Sequence, residues 1–271
     1  MYCMDMSSPS TMPDAFPAAA DAVGDDLDGE APERLEALAE AAREVALCNR
    51  VLAKTGDNIV GEILRGAGPF YEWRHYPSND VYDAEYHAQY YYHAHPPEER
   101  VDGEHGHFHT FLRPLGMPAG IAPAPLPDLQ PDEDGNGALS HLIGVSMDKA
   151  GRPIRLFTTN RWVTGETWYR AEDVIRMLDQ FVVDHARPSW PANRWLTALL
   201  RLYRPQIEGL LLARDRAIAA HAARNPGVNV YEDRGLEVAS ELRIDLEARL
   251  AAVEIAARRA RRRDRKSQAA G

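Results

Sequence analysis

The chain has 271 residues, a net charge of −10 and 45% apolar residues, which is typical of a globular protein with a sizeable core. The charge is uneven, because residues 258–271 carry +6 and the other 257 residues therefore carry −16. An acidic body argues against a broad nucleic-acid surface, so nucleic acid is not an expected partner. Two cysteines, Cys3 and Cys48, give neither a disulfide framework nor a cysteine-rich zinc motif.

The sequence carries no pattern that indicates secretion or membrane insertion. The first 30 residues lack a basic start followed by a long apolar run, as a signal peptide would have. No segment approaches the roughly 20 consecutive apolar residues of a membrane span. We therefore expect a cytoplasmic protein with reduced thiols and no membrane partner.

The N-terminal part is predicted to be a disordered leader followed by two helices. Residues 1–30 are rich in proline, alanine, serine and aspartate, with little to bury. A helix is predicted to begin at Pro32, a favourable first-turn residue, and to end at Gly56. Apolar residues repeat between them at helical spacing. A shorter helix is predicted at 59–64.

Aromatic-rich segments follow and predict an antiparallel sheet. A short strand is predicted at 70–77, a hairpin of two strands at 86–95 and 105–113, and a second hairpin at 141–163. The segment 114–131 lies between the hairpins and holds six prolines. It is therefore predicted to be irregular, as either a lid or a plain surface loop.

Helical periodicity returns in the C-terminal half of the chain. Helices are predicted at about 171–184, 192–203 and 205–223, and a long final helix from about residue 232. The apolar residues of the final helix fall near heptad spacing, which suits either a homodimer contact or packing on its own domain. The whole pattern predicts an α+β fold: a small antiparallel sheet carrying a histidine-rich hairpin, flanked by N-terminal and C-terminal helices.

Composition also predicts a division of the chain into three parts. We expect a disordered leader at 1–30, a single α+β domain at 31–257 and a basic C-terminal tail at 258–271. Arginines at the end of a helix complement its dipole, so the tail is interpreted as a solvated helix end. Binding of the tail to nucleic acid or to anionic lipid is the alternative interpretation.

Five of the ten histidines lie within residues 90–111 and alternate along two predicted strands. Alternate side chains share one face of a strand, so His93 and His95 point the same way. A hairpin centred near Arg100 places His93 opposite His107, and a register slid by two positions places it opposite His109. Either register gathers the imidazoles on one face, with opposed Cβ atoms about 4.5–5.5 Å apart.

Imidazoles at this spacing suit zinc or iron, which bind histidine nitrogen at about 2.0–2.1 Å. The predicted metal ligands come from His93, His95, His105, His107 and His109. Iron, manganese and zinc are the candidate ions, because the segment offers nitrogen and oxygen but no thiolate. Glu104 in the connecting loop and Tyr91 on the histidine face are the candidate catalytic residues, as a carboxylate and a proton donor. A metal-free polar cluster and a solvated histidine-rich face are the alternatives.

A first resemblance is to the opening motif of the cupin family. It is carried by His93-x-His95-x-x-x-Glu99 and by Gly106 after six further residues. The resemblance implies a β-barrel that holds iron, manganese or zinc through two histidines and a glutamate, with a third histidine from a later strand. The family's leading glycine is replaced here by His87, and no clear second motif follows.

A second resemblance spans most of the chain. It is to a bacterial domain-of-unknown-function family, and it is carried by the segments HYPSNDVYD, QYYYHAH, EHGHFHTFLR and NRWVTGETWY. This resemblance implies a shared fold and an intracellular bacterial setting. It implies no particular activity, substrate or ligand set.

Three functions are compatible with these features, and the sequence leaves the choice among them open. The first is a cytoplasmic divalent-metal-binding protein that acts as a non-haem metal-dependent enzyme, an oxygenase or a hydrolase, on a small-molecule ligand. The second is a metal buffer or sensor that uses the same histidines without turnover. The third is a metal-free interaction domain with a histidine-lined face. Serine-hydrolase and nucleotide-binding functions lack support, because the sequence has no GxSxG, P-loop, GxGxxG or HExxH motif.

Overall fold

A computed structural model describes residue 27 and residues 29–270, so the predicted leader at 1–30 lies almost wholly outside the described residues. The described helices are α1 Pro32–Ala53, α2 Ile59–Leu64, α3 Arg161–Thr164, α4 Ala171–Met177, α5 Trp190–Leu202, α6 Arg204–Arg224 and α7 Leu246–Ala270. The described strands are β1 Tyr76–Tyr82, β2 Ala88–His93, β3 Gly106–Leu112, β4 Ser140–Met147, β5 Pro153–Thr159 and β6 Val238–Arg243. Helices at both ends flank the sheet, which confirms the predicted α+β class.

The six strands form one antiparallel sheet in the order β1-β2-β3-β4-β5-β6. Strands β2 and β3 are the predicted histidine-rich hairpin. Their register places His93 opposite His107 and Tyr91 opposite His109, which confirms the first of the two predicted registers. Because side chains alternate, the even-numbered residues of β2 and β3 share one face of the sheet and the odd-numbered residues share the other.

The even-numbered face packs against helices and forms the hydrophobic core. Tyr90, Tyr92 and Phe108 are almost fully buried there. The Tyr90 hydroxyl donates a hydrogen bond to the side-chain oxygen of Asn193 on α5, and the Phe108 ring lies 6.5 Å from that of Trp195 on the same helix. Burial of such side chains stabilises a fold by roughly 1.5–3 kcal/mol each, so this contact fixes the sheet on the helical layer.

The first two helices follow the sequence prediction closely. Helix α1 begins at Pro32 and ends at Ala53. Gly56 follows shortly after with a φ of 72°, a left-handed conformation that cannot extend a right-handed helix. Helix α2 begins after Asn58, whose side-chain oxygen accepts a hydrogen bond from the backbone N–H of Gly61. The described helices include none with both the length and the apolar character needed to cross a lipid bilayer.

Three predicted elements differ from the structure. The helix predicted at about 171–184 ends at Met177, and only a short 3-10 helix continues it to Gln180. The strand predicted at 70–77 begins only at Tyr76 and continues to Tyr82. The long final helix predicted from residue 232 is wrong, because Val238–Arg243 forms strand β6 and the helix starts at Leu246. Pairing with β5 outweighs the helical spacing of the apolar residues in this segment.

Helix α7 connects the end of the chain to its beginning. It contacts α1 and buries four small or branched residues on one side, Val253, Ala256, Ala257 and Ala260. The predicted basic tail continues this helix as far as Ala270, and Arg261 donates hydrogen bonds of 2.8–3.0 Å to the carboxylate of Glu36 on α1. Part of the basic segment is therefore docked on the N-terminal helix.

Candidate metal centre

The odd-numbered face of the β2–β3 hairpin lies on the side of the sheet away from α5. Alternation places Tyr91 and His93 of β2 next to His107 and His109 of β3 on this face. Every residue of both strands is buried, so the histidine face is covered as well as the core face. Other rings supply the cover: the Phe157 ring of β5, for example, lies 5.3 Å from the ring of His107.

Three imidazoles converge at the end of the hairpin where the connecting loop joins the two strands. The Nε2 atoms of His93 and His107 lie 2.8 Å apart, and His95 follows just beyond the end of β2. One ring nitrogen from each of the three residues lies within 4.8 Å of the other two. These residues, His93, His95 and His107, are called the three-histidine group below. Their nitrogens face one small volume, as the ligands of a single ion would.

A buried carboxylate orients one member of the group. The Nδ1 atom of His107 lies 2.7 Å from Oε1 of Glu104, and Oε2 of Glu104 accepts a 3.3 Å hydrogen bond from Arg155. Arg155 is itself held by Ser146, whose hydroxyl accepts a 3.0 Å hydrogen bond from Nε. Because a carboxylate only accepts, His107 donates from Nδ1 and keeps the lone pair of Nε2 directed at His93.

The same contacts keep Glu104 anionic. Burial raises the pKa of Glu104, but the hydrogen bond from His107 and the charge of Arg155 outweigh it and lower the pKa to about 2. Glu104 was predicted as a candidate catalytic residue, and the structure places it behind His107. A carboxylate behind a metal-binding imidazole fixes the ring and strengthens it as a ligand.

The imidazoles of His93 and His95 favour their neutral form. Burial, followed by repulsion from His107 and His95, lowers the pKa of His93 to about 2. Burial and the neighbouring His107 lower the pKa of His95 to about 4. The neutral imidazole is the form that binds a metal ion, so at neutral pH protons compete weakly for these nitrogens.

His109 belongs to a neighbouring pair and not to the three-histidine group. Its Nδ1 atom lies 3.0 Å from Nε2 of His141 on β4, and Nδ1 of His141 lies 3.3 Å from the Thr159 hydroxyl. The backbone N–H of His141 donates to the Glu166 carboxylate at 2.7 Å. Burial lowers the pKa of both histidines, that of His141 to about 3, and raises the pKa of Glu166 to about 7.

The remaining predicted residues take different places. His105 turns away from the three-histidine group, with Nδ1 2.7 Å from the Tyr92 hydroxyl and its ring 5.2 Å from that of Phe70. Tyr91 lies beside the group, with its ring 5.3 Å from that of His93. Glu99, the glutamate of the cupin-like motif, has a carboxylate oxygen 3.7 Å from Nδ1 of His95.

The rim of the site comes from residues 73–80, which the predicted ligand set does not include. The Trp73 ring stacks on His95 at 4.2 Å, and the His75 ring stacks on Tyr91 at 3.6 Å. Asp80 holds His75 through a 3.0 Å contact between its Oδ1 and Nδ1 of the ring. Trp73 and Asp80 have positive φ angles of 64° and 52°, which are rare for such residues and often mark functional sites. No local sequence pattern signals these conformations.

Comparison with known proteins yields one match. A family model described as Domain of unknown function (DUF6969) matches residues 39–244, about three quarters of the chain. The matched region contains all six strands and the whole three-histidine group. No curated protein and no solved structure matches the chain. The resemblance to the cupin family, which no match supports, stays a prediction.

Proposed function

We propose that this chain, which belongs to the family described as Domain of unknown function (DUF6969), is a divalent-metal-binding protein whose metal centre serves an enzyme acting on a small molecule. The observation that carries the proposal is the convergence of His93, His95 and His107 with ring nitrogens within 4.8 Å of one another. The neighbouring Glu104, held by Arg155, supports it, because metal-binding histidines usually donate their second N–H to such a carboxylate.

A cation explains the arrangement better than a metal-free cluster. Neutral imidazoles each offer one lone pair, and burial without a partner for that lone pair is costly. The His93–His107 contact can satisfy one of these lone pairs with one proton, while a metal ion at the centre satisfies all three. His93 and His107 are 8% and 5% exposed, so bulk water is a poor substitute for the ion.

Three protein ligands favour a reactive centre over a purely structural one. Structural zinc sites are closed by four protein ligands, whereas catalytic sites keep a position for water or substrate. Such an ion polarises a bound oxygen or activates water against a small molecule. A metal buffer or sensor with the same ligands, and a metal-free interaction domain, are the competing functions that the experiment below separates.

Elemental analysis of the untagged, purified chain tests the proposal. We expect about one equivalent of a transition metal in the wild-type protein and almost none in the double variant His93→Ala, His107→Ala. His105→Ala is the matched control, because His105 lies in the same hairpin but bonds to Tyr92. Wild-type protein that folds yet retains no iron, manganese or zinc after loading would favour the metal-free interaction domain.

A second measurement separates an enzyme from a buffer. Water-proton relaxation by protein loaded with Mn(II) reports whether a water molecule on the ion exchanges with solvent. We expect rapid exchange, as an open coordination position requires. A water-proton relaxation rate no higher than that of a protein whose Mn(II) is fully enclosed by protein ligands would favour the buffer or sensor.

A further inference from the structure

Solvent approaches the three-histidine group from the side of His95. The His95 side chain is 15% exposed, whereas that of His107 is 6% exposed. Aromatic rings cover the other sides of the group. The Phe157 ring lies 5.3 Å from that of His107, and the His75 ring makes an edge contact with that of His93 at 5.6 Å. A molecule that reaches an ion in this group therefore passes over His95.

Trp73 stands at that entrance. Its ring stacks on His95 with centres 4.2 Å apart and planes inclined by 29°, yet the residue remains 55% exposed. An indole is wider than the imidazole it covers, so part of the indole surface stays available to a second flat ring. The left-handed backbone at Trp73, with φ of 64°, is anchored by a 2.8 Å hydrogen bond from its N–H to the carbonyl of Ala94. Such a conformation persists only where surrounding structure enforces it.

The net charge of the site determines whether a cationic or an anionic ligand is favoured. Three neutral imidazoles leave the double positive charge of a divalent ion uncompensated. Two carboxylates lie near the group. The charge of Glu104 is already shared with His107 and Arg155, and Glu99, 3.7 Å from Nδ1 of His95, is 50% exposed, so solvent screens its charge. An anionic oxygen donor is therefore favoured at the open side of the ion, and a cationic ligand is disfavoured.

Resting on the proposed metal centre, we infer that the site binds a planar aromatic anion, such as an aromatic carboxylate, with its oxygen on the ion and its ring against Trp73. The indole favours flat rings, because offset and edge contacts between two aromatic rings stabilise the complex. The ring gives selectivity, and the carboxylate gives attachment to the ion. Trp73 is then the residue that determines specificity at this site.

Benzoate and acetate test the inference as a matched pair, because they carry the same carboxylate and differ in the ring. Protein loaded with Co(II) reports binding of either ion through its visible absorption spectrum. We expect benzoate to bind wild-type protein about tenfold more tightly than acetate, a difference of the size that ring stacking supplies. Trp73→Ala should remove this preference, while acetate affinity and Co(II) content stay within about twofold.

Two further variants complete the design. Trp73→Phe keeps an aromatic ring and should retain most of the preference for benzoate. Trp190→Ala removes a tryptophan of similar exposure, 52%, on helix α5 and should leave both affinities unchanged. Equal wild-type affinities for benzoate and acetate, or a preference that survives in Trp73→Ala, would overturn the inference while leaving the metal centre intact. Failure of wild-type protein to bind Co(II) would instead overturn the metal centre, and the inference with it.

Discussion

The two faces of the β2–β3 hairpin are both buried but carry opposite chemistry. Tyr90, Tyr92 and Phe108 pack on helices as a conventional core, while the other face of the same strands brings together His93 and His107. A core built for stability alone avoids neighbouring imidazoles, because their burial is favourable only when each polar nitrogen has a partner. The difference shows that burial does not separate structural from functional residues here, whereas polarity does.

Removal of a core ring should have the largest effect on stability. Phe108→Ala deletes a ring that is 1% exposed, and we expect the free energy of unfolding to fall by about 3–5 kcal/mol. Chemical denaturation of metal-free protein measures the change. A loss below about 1 kcal/mol would contradict the assignment of the even-numbered face as the core.

Removal of a ligand should act on stability through the ion. Metal at about a hundred times its dissociation constant stabilises a folded protein by about 2.7 kcal/mol, and His93→Ala should lose this gain. Thermal unfolding of both proteins with metal and with a chelator measures it. An equal metal-induced shift in wild type and variant would show that the ion binds elsewhere.

Neutralisation of the orienting carboxylate should have a smaller effect. Glu104→Gln keeps a hydrogen-bond acceptor for His107 but removes the charge, and loss of such a partner typically weakens metal affinity by 10–100-fold. Competition with a metal-sensitive chelator measures the affinity. Glu99→Gln is the control, since this exposed carboxylate lies 3.7 Å from His95, and its affinity should change by less than about twofold.

Acidification should have the smallest effect on stability, and this effect should come from the histidine face alone. The pKa of His93 falls to about 2 and that of His95 to about 4, below the ordinary 6.5, so the unfolded chain binds more protons than the folded chain. Their contribution to stability is complete above pH 6.5 and is lost as the pH falls toward 4.

Denaturation of metal-free protein across this range measures the slope. The slope should be shallower in His93→Ala, because that variant removes one of the groups whose protonation favours unfolding. The core variant Phe108→Ala should be less stable at every pH and keep the wild-type slope. Identical slopes in wild type and His93→Ala would contradict the lowered pKa of His93.

Alternation along β2 and β3 was sufficient to predict that His93 and His107 share one face, because the period of a strand is local. It left open whether His107 or His109 lies opposite His93, and the structure shows that His107 does. The same alternation did not distinguish His109 from the three-histidine group. Its partner, His141, lies on β4, and that pairing depends on the register between distant strands. The sequence therefore predicted the face on which the ligands lie more reliably than the individual ligands.

Features that depend on the path of the chain were missed. Trp73 reaches the site through a left-handed backbone conformation that bulky residues rarely adopt, so propensity does not indicate it. Strand β6 was mistaken for helix because its partner, β5, lies about 80 residues earlier in the chain. No local pattern encodes this long-range pairing.

Arg155 links the histidine hairpin to the C-terminal part of the protein. One nitrogen of its guanidinium donates to Glu104, and another donates at 2.7 Å to Glu241 on β6. During synthesis the hairpin leaves the ribosome long before Glu241 does, so Arg155 gains its second carboxylate partner only when the last strand has been added to the sheet. For the proposed metal centre, we therefore expect a truncated protein that lacks β6 to hold Arg155, and through it Glu104 and the ion, less firmly than the full chain.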